Sequence, residues 1–158
     1  MKKYSVKLSI SRLEKENISI SDSFDAAFLE LGNDGIISVA SPVNFSFEAQ
    51  LHASGIVIRG NASVKINGEC GRCLEPVTQD IETEYTIMLD ELGNADEIDI
   101  SDYIREEILL AFPANIICSD NCAGLCPYCG INLNNGLCKC RDSAPAAPSP
   151  WDKLDELK

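Results

Sequence analysis

The sequence has a single histidine and no partner to set it to work. His52 falls on the polar side of an alternating run, with no sequence-local acid or nucleophile. A general base needs a positioned partner, so His52 reads as a surface residue. Hydrolytic and nucleotide-binding motifs are missing as well. The stretch "GNDG" at Gly32 to Gly35 is a turn, without the lysine and following helix of a phosphate loop. Long apolar runs are absent. The start of the chain, "MKKYSVKLSISRLEKEN", has two lysines but then alternates polar and apolar residues, so it lacks the continuous run of a secretory signal. No stretch has the length of apolar residues that a bilayer span requires. The expectation is a cytoplasmic protein without membrane contact, in a compartment where dense cysteines more often mean metal than disulfide. Basic residues are scarce: 13 Lys and Arg stand against 25 Asp and Glu, a formal net charge of -12. Affinity for a phosphate backbone comes largely from Lys and Arg, so this balance disfavours free-standing RNA binding and favours a basic partner such as a ribosomal protein. Nothing catalytic stands out; the chain reads as a non-enzyme with no small-molecule substrate.

At 158 residues there is enough chain for one ordinary domain plus a small appendage, and such a domain folds without disulfides. From Val43 to Ala53 the odd positions are apolar (Val43, Phe45, Phe47, Ala49, Leu51) and the even ones polar, the period of a half-buried strand. After a turn at Ser54 and Gly55 the apolar set moves to Ile56, Ile58, Ala62, Val64 and Ile66. From Val77 it returns to odd positions as Ile81, Thr83, Tyr85, Ile87 and Leu89. These three strands form an antiparallel meander, and with "YSVKLSI" and Ile36 to Val39 they make a five-stranded sheet or open barrel. "DEIDISDYIREEILLAFP" reads as an acidic loop followed by a helix near 101–112, stopped by Pro113 and buried along Ile104, Ile108, Ala111 and Phe112. Asp96, Glu97 and Asp99 in that loop have the chemistry for a hard cation, although an acidic loop before a helix is the plainer reading. The expected class is mainly β (α+β). Its organisation is a β domain with one helix over 1–113, a cysteine-rich zinc-knuckle segment over 114–141, a Pro/Ala/Ser linker over 142–150 and a short amphipathic tail over 151–158, read as a helix.

The chain has eight cysteines, and six of them lie in "CSDNCAGLCPYCGINLNNGLCKC", Cys118 to Cys140. Structural zinc takes four tetrahedral ligands, usually offered as close pairs. Cys126 and Cys129 in "CPYCG" form such a pair, with Pro127 shaping the turn and Gly130 able to supply a positive φ behind it. Cys138 and Cys140, one residue apart, point to one side in extended chain and are the natural second pair. Cys118 and Cys122 share a face if they occupy one helical turn. They either replace Cys138 and Cys140 as ligands or join Cys70 and Cys73, the pair in "NGECGRCLEP" at a hairpin tip. Eight cysteines divide into two sets of four, which permits a second zinc. The plainer reading of Cys70 and Cys73 is a pair of small apolar residues. A thioredoxin-like role suits them less, because that motif belongs at a strand-to-helix junction.

Together, "CGRCLEPV" at Cys70 to Val77, "DEIDISDYIREEILLAFP", the cysteine cluster and the terminal "PWDKLDELK" resemble the YceD family of large ribosomal RNA subunit accumulation proteins of bacteria and plastids, in the form carrying a C-terminal cysteine cluster. The resemblance covers most of the chain from about Phe45 onward. It implies a non-enzymatic role in large-subunit ribosomal RNA synthesis, processing or accumulation; taken together with the negative charge, the leading expectation is action through a ribosomal protein or pre-ribosomal particle, with any RNA contact made through that partner. By position it carries over Cys70 and Cys73 as the hairpin pair, and Cys118, Cys122, Cys126, Cys129, Cys138 and Cys140 as the cluster. A competing expectation is direct RNA binding, with Tyr128 stacking on bases, Arg72, Lys139 and Arg141 meeting phosphates, and Trp151 as a further contact. A third is a thiol redox protein.

Overall fold

The computed structural model describes residues 4–31, 37–90 and 96–140. Its elements in chain order are β1 (Lys7–Ser9), α1 (Ile10–Leu13), β2 (Ile18–Phe24), a 3₁₀ helix (Ala26–Leu29), β3 (Ile37–Val39), β4 (Val43–His52), β5 (Gly55–Glu69), β6 (Pro76–Leu89), β7 (Glu97–Asp99) and α2 (Ser101–Leu110).

The meander read from the sequence is β4, β5 and β6. Their odd–even switches become one buried face: Val43, Phe45, Phe47 and Ala49 on β4, Ile56, Ile58, Ala62, Val64 and Ile66 on β5, and Ile81, Tyr85, Ile87 and Leu89 on β6. The β4–β5 turn falls one residue earlier than expected, at Ala53 and Ser54, because Gly55 already pairs with His52. His52 is exposed at that hairpin end. β5 is the central strand. One of its edges takes β4 through Ser63 and then β3 at Ile66 to Gly68, and the other takes β6 from Ile56 to Glu69. β2 completes the sheet on the far side of β4. This five-stranded antiparallel sheet stays open.

Four expectations are corrected. "YSVKLSI" does not join the main sheet; only Lys7–Ser9 is extended, and it pairs with β7 in a separate two-stranded sheet. The acidic run before α2 is therefore part strand, not all loop, held by the Lys7–Glu97 ion pair at 3.0 Å and by Ser5 donating to Asp99 at 3.1 Å. The strand that takes the fifth place is β2, where Ile18, Ile20 and Phe24 keep period two and Asp22 breaks it. The short α1 is a second helix beside the expected one. Glu97 and Asp99 are engaged in these local bonds.

α2 packs Ile104 and Ile108 into the same core as the sheet. It starts where Asp99 accepts from the Ser101 N–H at 3.0 Å, and Asp102 in its first turn suits the helix dipole. It ends at Leu110, two residues short of the expected bound, because a residue preceding proline, here Phe112, is disfavoured in the α region. Ala111 and Phe112 still pack partly buried against the core. The "GNDG" turn, Ile36, the linker over 142–150 and the tail over 151–158 lie outside the described residues.

Candidate metal centre

β5 and β6 stay paired as far as Glu69 and Pro76, which leaves residues 70–75 as a tight tip. Within it, Cys70 donates its N–H to the Glu75 carbonyl at 2.8 Å, and Leu74 donates to the Cys70 carbonyl at 2.9 Å. The Arg72 N–H points at Cys70 Sγ at 3.5 Å. Leu74 adopts φ 61°, the left-handed region. The segment after α2 repeats this construction. Cys126 donates its N–H to the Ile131 carbonyl at 2.8 Å, and Gly130 donates to the Cys126 carbonyl at 2.9 Å. The Tyr128 N–H points at Cys126 Sγ at 3.5 Å, and Gly130 has φ 72°. "CGRCLE" and "CPYCGI" are thus the same knuckle built twice, each bringing two sulfurs together and turning backbone N–H groups toward the first of them.

Each knuckle meets a second pair of thiols. Cys70, Cys73, Cys118 and Cys122 form one group and Cys126, Cys129, Cys138 and Cys140 the other, with all sulfurs of a group within 4.8 Å of one another. Of the two arrangements left open for Cys118 and Cys122, the structure has them with Cys70 and Cys73. They get there without forming a helical turn, since 118–122 is bend and turn. The sulfur separations include 3.8 Å for Cys70–Cys122, 3.7 Å for Cys73–Cys118 and 3.2 Å for Cys126–Cys138. A tetrahedron of sulfurs about 2.3 Å from a central ion has edges of about 3.8 Å, whereas a disulfide requires about 2.0 Å. All eight cysteines are free thiols, spaced as tetrahedral ligands rather than as bonded pairs. Each group can hold a metal ion. Among the described residues, these two are the only sets of three or more such ligand residues gathered in this way.

The thiols are electrostatically prepared to different degrees. Cys70 is lowered to about 6, first by the backbone N–H of Cys73 and further by those of Arg72 and Cys118. Cys126 is also lowered to about 6, by the N–H groups of Cys129 and Tyr128. The parallel follows from the shared knuckle. Cys122 is lowered chiefly by the side chain of Asn134. Four of the other thiols, Cys73, Cys118, Cys138 and Cys140, shift the opposite way. The Glu75 N–H favours the Cys73 thiolate, but burial and the sulfurs of Cys70, Cys122 and Cys118 push Cys73 up to about 12. Cys140 is pushed up to about 12 by Cys129, by burial and by Cys138. Four thiols crowded together resist sharing negative charge, and a divalent cation removes that resistance.

The two groups abut. The Arg72 guanidinium, on the first knuckle, donates to the Asp120 carbonyl at 3.1 Å and the Cys122 carbonyl at 3.3 Å, and the Arg72 carbonyl accepts from Leu125 at 3.0 Å. Gly124 packs here with φ 73°, a conformation that favours glycine, and a Cβ on it would lie a tight 3.1 Å from the Arg72 carbonyl oxygen. Of the residues considered for RNA or partner contact, Tyr128 is exposed beside a cavity of about 410 Å³ lined by Cys126, Pro127, Leu133, Leu137 and Cys138. Lys139 is exposed and has an interaction of its own. Arg141 and Trp151 lie outside the described residues. The bonds made by Arg72, Asn132 and Asn134 escaped the sequence reading, since nothing in their spacing tells which carbonyl or sulfur they will meet.

A family model described as large ribosomal RNA subunit accumulation protein YceD matches residues 58–158, from near the start of β5 to the last residue. The chain belongs to the YceD family. It is 31% identical over 96 residues to an uncharacterized protein of Mycobacterium tuberculosis, covering 51% of this chain and 46% of that one. It is 26% identical over 153 residues to the chloroplastic large ribosomal RNA subunit accumulation protein YCED homolog 1 of Zea mays, covering 70% of this chain and 52% of that one. The Arabidopsis thaliana counterpart is 46% identical over 61 residues, 38% of this chain and 19% of its own length. The chain spans about half the length of the first two relatives. No solved structure matches it significantly.

Proposed function

We propose that this protein is a non-enzymatic accessory factor in the accumulation of large-subunit ribosomal RNA, and that two zinc ions hold its C-terminal segment against the sheet. The observation that carries the reading is the family match, which takes in both knuckles and all eight cysteines. Zinc suits the donor set: four thiolates at tetrahedral spacing are a structural zinc environment, and cytoplasmic thiols stay reduced. With four thiols in each group, neither ion has the open position that a catalytic zinc keeps, so binding rather than chemistry follows. The net charge of -12 supports a basic protein partner on the pre-ribosomal particle. Direct RNA recognition is less favoured, because the Arg72 guanidinium already donates to two backbone carbonyls.

The test is depletion in cells, which is expected to lower mature large-subunit RNA and to skew the ribosome profile; an unchanged profile defeats the proposal. Elemental analysis with native mass spectrometry is expected to count two zinc ions per chain, falling to one in Cys126→Ser.

A further inference from the structure

Asn134 belongs to the loop between Cys129 and Cys138, both ligand residues of the second group, yet its side chain serves the first. Its Nδ2 lies 3.3 Å from Cys122 Sγ, and its Oδ1 accepts from the Ala123 N–H at 2.8 Å. A backbone N–H can only donate, so the amide oxygen must face Ala123 and the amide nitrogen is left to face the sulfur. Asn132 is fixed by the same logic. Its Oδ1 accepts from the backbone N–H of Asn134 at 3.0 Å and from Asn134 Nδ2 at 2.9 Å, which turns its own Nδ2 toward Glu75 Oε1 at 3.2 Å. Hydrogen bonds therefore run without a gap from the first knuckle, through the loop of the second group, back to a sulfur of the first group. Both amide hydrogens of Asn134 have an acceptor.

We infer that Asn134 is a positioning residue that couples the two metal sites. An ion on Cys126, Cys129, Cys138 and Cys140 pins the loop at both ends. The pinned loop keeps Asn134 on Cys122, and a donor on that sulfur spreads the charge of the tetrathiolate and favours the ion in the first group. Donors of this kind commonly change metal affinity by about 10- to 100-fold. Coupling between two binding sites is reciprocal, so the first ion holds the second as firmly as the second holds the first. The inference rests on the reading that both groups hold zinc.

The experiment uses the full zinc-loaded chain, challenged with a chromogenic chelator, with cadmium-113 NMR of the cadmium-loaded chain to resolve the two sites. Asn134→Asp keeps the acceptor for Ala123 and replaces the donor with an oxygen that repels the sulfur. It is expected to lower the affinity for the first ion, read from equilibrium competition with the chelator, about tenfold or more and to move the first cadmium resonance. Cys126→Ser, which empties the second group, is expected to do the same with Asn134 intact. Cys73→Ser is expected to loosen the second ion in return, which tests the coupling without altering Asn134. An affinity for the first ion within twofold of the parent in Asn134→Asp overturns the inference. An unaffected second ion in Cys73→Ser also overturns it. A chain that takes up no zinc overturns both the coupling and the zinc reading. Two ions released independently overturn the coupling alone and leave the ribosomal role standing.

Discussion

Leu74 occupies in the first knuckle the place that Gly130 occupies in the second, at φ 61° against 72°. A left-handed conformation costs an L-residue with a Cβ about 1–2 kcal/mol, and glycine escapes that cost. Leu74→Gly is therefore expected to stabilise the zinc-loaded protein by up to about 1 kcal/mol, after allowing for the greater freedom of glycine in the unfolded chain. Gly130→Ala is expected to destabilise it by about 1 kcal/mol. Denaturant titration of the two loaded variants measures both. The same residue explains why the hairpin cysteines were only half legible. "CPYCG" advertises its knuckle through Gly130, whereas "CGRCLE" has leucine at that position and offers no such cue. The bonds that make the two alike are backbone N–H to sulfur and to carbonyl, which any side chain permits.

Elements were legible where one face is buried. β4, β5 and β6 each alternate over many residues, and a register slip would have turned their apolar side chains to solvent, so the pattern is unambiguous. β2 was missed because Asp22 interrupts it and only Ile18 of its apolar residues is fully buried. β1 was misplaced because a strand of three residues, Lys7–Ser9, does not announce its partner. Its partner β7 leads directly into α2 through Asp99. Burial opposes ionisation of this carboxyl, but the Ser101 hydroxyl and N–H, the Ser5 hydroxyl and the Val6 N–H outweigh it, so its pKa is lowered. A lowered carboxylate contributes stability above its unfolded pKa of about 3.9 and loses that contribution as the pH falls through the native value. Asp99→Asn is thus expected to be less stable than the parent at neutral pH and to show a shallower loss of stability below about pH 4, followed by thermal melts across the acid range. Within α2, Ile108→Ala removes a side chain only 1% exposed and is expected to cost about 2–5 kcal/mol by the same melts.

At the scale of the molecule, the sheet and the cysteine-rich segment draw stability from different sources. The sheet and α2 share one apolar core, while the segment after Pro113 has few buried apolar side chains, Ile116 among them, and is gathered about the two thiol groups. Chelation is expected to leave the β signature of the circular dichroism spectrum in place while opening the segment over 114–140 to protease, with cuts read by mass spectrometry. Cleavage distributed through β4–β6 instead defeats this division. The thiol partition was only partly readable because it depends on the hairpin tip and the segment after α2 coming together, and a sequence does not state which of two neighbouring pairs crosses that gap.

The first thiol group joins Cys70 and Cys73 to Cys118 and Cys122, which lie on opposite sides of α2 in the chain. During synthesis the strands emerge first, and the last two sulfurs follow after the helix. If the group takes the ion proposed for it, capture would be a late event in the life of the chain, a seal set on a finished fold rather than a seed for it. Metal starvation would accordingly yield molecules with an intact sheet and an unfastened end.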